Sequence, residues 1–126
     1  MARHIPNAAY DAYFDYFGAC TRLSVVSDAS TPTTLTNELA YETLTSGDFS
    51  VGVGDNDGRK MTVAQQSAVS VTAPGTTRHI VLSYWTGSAW EIRLVTTCAE
   101  RAVDSAQSDI ININSFYLNV NGPVAP

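Results

Sequence analysis

Charge is scarce in this chain, and basic charge is scarcest. Only 15% of its 126 residues are charged, Lys60 is the single lysine, and the formal net charge is -5 with a pI near 4.7. A phosphate-binding face needs clustered Lys and Arg, so nucleic acid is not an expected partner. Long apolar runs are missing too. No stretch approaches the roughly 18 residues of a membrane span, and residues 1–7, MARHIPN, are not followed by the apolar core of a secretion signal. Synthesis in the cytoplasm with no membrane partner is the expectation. Cysteine is limited to Cys20 and Cys98, in neither a CxxC motif nor a zinc set. Two buried free thiols are expected, although the spacing leaves a bridge open. Catalytic signatures are also lacking: there is no GxSxG, HExxH, Cys–His signature or phosphate loop. His4 and His79 are isolated, and the second reads as a structural or surface residue of a strand. No catalytic residue, cofactor or metal is expected, and the chain is not read as an enzyme.

What is present is apolar and rich in hydroxyls. Hydrophobic residues make up 44% of the chain and mean hydropathy is -0.03, values of a globular domain rather than a disordered segment. The length suits one domain with a modest core. Abundant Ser and Thr fit strands whose outward positions carry hydroxyls.

The strongest folding signal lies at 47–71. Phe49, Val51 and Val53 alternate with small residues, and Met61 and Val63 alternate beyond a tip of Asp55, Asn56, Asp57, Gly58 and Arg59. This is the period of half-buried strands around a turn. To share one face, facing residues must sum to an even number. A three-residue loop, Asn56-Asp57-Gly58, with Gly58 left-handed meets that condition. It pairs Val53 with Met61 and sets Asp55 against Arg59 as a charge clasp. Asp55 and Asp57 have the spacing of calcium ligands, but the fifth and twelfth positions of such a loop would be Arg59 and Gln66, where oxygen ligands and a bidentate Glu are needed. The tip therefore reads as a turn.

Elsewhere, Asn7 is expected to cap a helix at 8–17 ended by Gly18. Tyr10, Tyr13, Phe14 and Phe17 form an aromatic stripe at i, i+3, i+4 and i+7. That stripe must be covered, by the domain's own sheet or by a neighbouring subunit. Strands are expected at 21–27 and 38–45, and the second arm of the first hairpin is expected to run on to Val71. A second hairpin joins 77–85 to 90–98 around Thr86-Gly87-Ser88, with Tyr84 facing Trp90 and Trp85 turned outward beside the tip. A final strand spans 109–120. The predicted architecture is mainly β: an antiparallel sandwich or barrel of six to seven strands with one short N-terminal α-helix. Residues 1–7 form an N-terminal arm, 8–121 a single domain and 122–126 a C-terminal tail.

The segments TLTSGDFSVGVGDNDGRKMTVAQQSAVSV, GTTRHIVLSY, LVTTC and IININSFYL occur in that order between Thr43 and Leu118. Together they resemble a group of small bacteriophage virion proteins encoded with capsid and tail genes. The matching positions are turn and core positions, more specific for a fold than for a role. The resemblance implies a structural virion protein, foremost a capsid decoration or cement protein that binds the major capsid protein, commonly as trimers around symmetry axes. A head–tail or tail component is the nearest variant, and a carbohydrate- or receptor-binding sandwich using Trp85, Trp90 and Tyr84 is the reading from a different class. Spare apolar surface marks partners, which nominates Arg3, Ile5, Tyr10, Tyr13, Phe14, Phe17 and Trp85 as protein-interaction residues of a homo-oligomer.

Overall fold

A computed structural model describes residues 6–53 and 58–120. Among the described residues the single α-helix, α1 (Asn7–Gly18), comes first, and the rest is antiparallel strand and loop with two short 3-10 turns, Ser46–Asp48 and Ser105–Gln107. Seven expected strands appear as eleven segments, for a simple reason. Two long strands are each broken once, and two short pieces, β6 (Gly75–Thr76) and β9 (Ala102–Val103), pair with one another. The fold is a small antiparallel β-sandwich with one N-terminal helix, as the alternating pattern predicts.

One layer is a four-stranded sheet in the order β2 (Glu38–Thr43), β1 (Arg22–Val26), β7 (His79–Trp85), β8 (Trp90–Thr97). The other is built from β3 (Phe49–Val53), β4 (Arg59–Val63) and β11 (Phe116–Val120), with β4 central. β5 (Gln66–Ser70) continues β4, and β10 (Ile110–Ile113) leads into β11. These four segments form one long bent ribbon, β4 against β11 and β5 against β10. The bend carries the ribbon over to β2, where Ala40 bridges Val71. Ala68 adopts a left-handed φ of 55° within β5, and Asn112 Oδ1 accepts its N–H at 2.8 Å. The expected continuous strand to Val71 is thus two strands in two sheets.

Leu23, Val25, Leu39, Met61, Val63, Val69, Leu82 and Ile111 fill the space between the layers. α1 packs against β3, β4 and β8. Its first turn begins at Asn7, with Pro6 in the N-cap position and no side-chain cap. Asn7 therefore does not cap the helix: proline's fixed φ sets up the helix entry from the preceding position. Tyr10, Phe14 and Phe17 point into the core at 6%, 1% and 8% exposure. These three are corrected as interaction residues, because the domain's own sheets cover them. Tyr13, the fourth member of the stripe, remains 48% exposed.

Both hairpins keep the apolar faces together but shift register. In the first, Phe49 stands opposite Val63, Val51 opposite Met61 and Val53 opposite Arg59. The sum is even, as expected, yet two residues away from the predicted pairing. The expected register would set Phe49 against Gln65; the observed one sets it against a buried valine. Gly58 is left-handed at φ 77°, while Asp55, Asn56 and Asp57 lie outside the described residues. Arg59 reaches not across the turn but to the helix, where Nη2 donates to Asp11 Oδ1 at 3.2 Å. In the second hairpin, Thr86 N–H donates to the Ala89 carbonyl, leaving a two-residue turn of Gly87 and Ser88 with Gly87 at φ 100°. Trp85 consequently faces Trp90 and Tyr84 faces Glu91, so the expected Tyr84–Trp90 pair does not form. A bulge corrects the phase further down. Ser83 pairs with Ile92 but Leu82 with Leu94, leaving Arg93 as the extra residue.

Candidate interaction surface

The outer face of the four-stranded sheet carries the densest set of exposed aromatics. Register places Thr43, Arg22, Ser83 and Ile92 in one row and Tyr41, Ser24 and Val81 in the next, with Trp85 and Trp90 at the hairpin end. Arg22 lies across this face. Its Nε and Nη2 donate to the two oxygens of Glu38 at 2.9 and 2.5 Å, a bidentate fork. Ser24 Oγ donates to the same carboxylate. With its charge answered in the sheet plane, the guanidinium offers its flat faces to rings. Its Cζ lies 3.8 Å from the Tyr41 ring centroid and 5.2 Å from that of Trp90. Trp85 and Trp90 complete the row with centroids 5.2 Å apart and planes tilted by 56°. Tyr41, Trp85 and Trp90 keep 43%, 46% and 36% of their surface exposed. Beneath them Ser24, Val26, Val81 and Ser83 are fully buried, so the ring layer rests on a closed floor.

A second cluster ties the helix to the same hairpin. Arg93 donates from Nη1 to the Tyr16 carbonyl at 2.7 Å and from Nε to Glu91 Oε1 at 2.7 Å. Its Cζ sits 4.1 Å from the Tyr16 ring and 4.0 Å from the Tyr84 ring. Tyr84 is thereby a helix clamp and not part of the Trp85–Trp90 platform.

Of the sequence-nominated residues, then, the structure leaves Tyr13 and Trp85 exposed, on different elements. Arg3 and Ile5 lie outside the described residues, as does His4. Arg22, Glu38, Tyr41 and Trp90 complete the platform around Trp85. Sequence reasoning missed the first three in this role because only the strand order β2-β1-β7-β8 brings them beside the second hairpin.

Other polar contacts tie loops to strands. His79 Nδ1 donates to the Asp28 carbonyl at 2.9 Å, fastening the 27–37 loop to β7. Gln66 Nε2 donates to Asp48 Oδ1 and to the Ala64 carbonyl. Among the described residues, no three of the His, Cys, Asp and Glu side chains come together as a metal site. No helix there is long and apolar enough to cross a membrane. Both thiols are free, Cys20 buried and Cys98 half-buried. Burial pushes the Cys20 thiol up to about 11; nearby Arg93 pulls it back and Glu91 adds to the rise. Burial also raises Cys98, against a hydrogen bond with Thr77. Cys98 lines a cleft of about 370 Å³ between the ends of β7 and β8 and the β10–β11 segment, with Ile80, Ile113 and Phe116 as its apolar wall.

Comparison with protein-family models, curated proteins and solved structures gives no match to this chain.

Proposed function

We propose that this chain is a structural protein of a bacteriophage virion, a capsid decoration or cement protein made in the host cytoplasm. It binds the major capsid protein on the head surface through protein–protein contacts and acts as a homo-oligomer, a trimer being the arrangement implied by the resemblance described above. The observation that carries the reading is the exposed Tyr41–Arg22–Trp90–Trp85 row. Tyr, Trp and Arg are the residues that dominate binding energy at protein interfaces. Here they sit on a rigid sheet, so little conformational entropy is lost on docking. The row is electrically quiet, because Glu38 already answers Arg22. Such a face suits a broad surface contact better than steering of a charged small molecule.

Heads assembled with and without the chain test the proposal. The expected results are its presence in purified virions, a higher disruption temperature for decorated heads, and loss of head binding by Trp85→Ala and Trp90→Ala with the fold retained. Absence from virions together with unchanged head stability sinks it. Binding confined to the neck or tail would instead support the head–tail variant.

The tilted Trp85–Trp90 pair favours one reading from another class, a glycan-stacking module. Screening against a glycan array with Trp85→Ala as control decides it: binding that the variant abolishes supports this reading, and uniform lack of binding removes it.

A further inference from the structure

Among the described residues β3 is an edge strand, and its apolar face is unfinished. Phe49, Val51 and Val53 share the face of Met61 and Val63. Yet Val51 is 41% and Val53 76% exposed, while Met61 and Val63 are each 1% exposed. The ladder also shows which backbone groups are unused. Ala64 N–H donates to the Asp48 carbonyl at 2.8 Å, one step beyond the Phe49–Val63 pair. Bonded pairs alternate along an antiparallel ladder. Ser50 and Gly52 therefore bond to β4. On the far side the Phe49 N–H already donates to the Ser46 carbonyl, so the Phe49 C=O and the N–H and C=O groups of Val51 and Val53 point to the open edge. Both edges of the four-stranded sheet carry charge, Glu38 and Glu42 on β2 and Glu91 and Arg93 on β8. Charge of this kind blocks edge-to-edge pairing. β3, with sequence FSVGV, has none. β11 (FYLNV), the other edge of the three-stranded sheet, is uncharged like β3, but its apolar Phe116, Leu118 and Val120 are partly buried against the core.

We infer that β3 is a self-association edge, paired antiparallel with β3 of a second copy about a twofold axis through Val51. The register follows from the same parity that shapes the hairpins. Setting Val51 against Val51 of the second copy puts Phe49 against its Val53. The two Val51 residues then exchange both N–H···O bonds, each Val53 N–H meets a Phe49 C=O while the Phe49 N–H stays with Ser46, and all six apolar side chains fall on one face. The two three-stranded sheets become one continuous sheet. A cleft of about 390 Å³ between α1 and β3, lined in part by Phe14, Ser46, Phe49, Val51 and Met61, lies on that face. Val53 of the second copy, opposite Phe49, is directed toward it. An uncharged strand is also the place where two chains of net charge -5 can meet without bringing like charges together. Such an isologous contact closes on itself as a dimer. The inference rests on the homo-oligomer of the proposed function, not on the virion, and gives that oligomer a twofold pairing in place of the trimer that the resemblance implies.

Sedimentation of the full chain across the micromolar range, with three variants, tests the pairing. Val51→Pro removes an outward N–H while leaving the β4 ladder intact, and Val53→Lys adds charge at an exposed position. The expected result is a dimer whose dissociation constant rises at least about tenfold in both variants, with wild-type circular dichroism. Val51→Cys is expected to give a disulfide-linked dimer on mild oxidation, a bonded pair lying within disulfide reach. Should Val51→Pro fail to fold, Val53→Lys and the cross-link decide alone. A chain that stays monomeric, or an oligomer unchanged by Val53→Lys and not cross-linked through Cys at 51, overturns the inference. So does strand pairing that appears only with capsid protein. Dimerisation without head binding would sink the proposed function and leave this edge standing.

Discussion

Arg93 donates to the main-chain carbonyl of Tyr16 from the one position on β8 that has no partner in the ladder. The bulge aims a guanidinium that a regular strand would have turned elsewhere. It lands on a free carbonyl near the helix C-terminus, where a cation is favoured. Arg93→Ala should lower the urea midpoint more than Arg78→Ala, which removes an exposed ion pair with Glu100. Arg93→Lys should recover little, since an ammonium cannot lie flat between the Tyr16 and Tyr84 rings while also donating to both Glu91 and the Tyr16 carbonyl. Equal effects of the Arg93 and Arg78 substitutions would refute the clamp.

Two backbone positions give stability changes of predictable sign. Gly18 ends α1 outside the left-handed region, and a Cβ there meets nothing within 4 Å. Gly18→Ala should stabilise by about 0.5–1 kcal/mol. Ala68 holds a left-handed conformation that costs an L-residue about 1–2 kcal/mol. Ala68→Gly should therefore be neutral or stabilising, in contrast to glycine at an ordinary strand position. Equilibrium urea unfolding of both variants measures the two effects.

Alkaline pH should weaken the fold through Cys20. Its folded pKa is raised from about 9 to about 11, so the native state keeps the proton that the unfolded chain releases. Stability is unaffected below about pH 9 and falls as pH rises toward about 11, because the unfolded state then binds fewer protons. Cys20→Ala should flatten that part of the urea midpoint against pH curve. Cys20 should also alkylate more slowly than half-buried Cys98 in native protein, and equal rates would contradict the burial difference.

Trp85→Ala should cost no more than about 1 kcal/mol, the scale of an aromatic pair at a partly exposed site. The same change should shift the fluorescence of the remaining Trp90. A large loss of stability would mean that the platform is core and not contact surface.

Much of the fold is legible in alternation alone. Phe49 to Val53, Met61 with Val63, and Ile80 with Leu82 announce their strands and their shared faces. Parity correctly demands even sums wherever those residues meet the core. It does not choose among even sums: the first hairpin slides by two to put Phe49 on Val63. It also does not reveal the loop length, so the two-residue Gly87-Ser88 turn replaced the expected Tyr84–Trp90 pair with Trp85–Trp90, nor the inserted Arg93 that restores an even sum further down. The candidate site was less legible. Trp85 stood out beside its turn, but Arg22, Glu38 and Tyr41 become its neighbours only through the non-local order of β2, β1 and β7, which no local pattern encodes.

The bent ribbon has a consequence in time. Its strands lie roughly 40 to 60 residues apart along the chain, β5 with β10 and β4 with β11. Each of those pairings must close a long loop before any contact repays the entropy. The four-stranded sheet can assemble from segments made by Thr97, but β3 and β4 gain their last sheet neighbour only when Phe116–Val120 arrives. Until then β4 is itself an open edge beside uncharged β3. A slow final folding phase, during which newly made chains are most prone to stick to one another, is built into the order in which this sandwich is threaded.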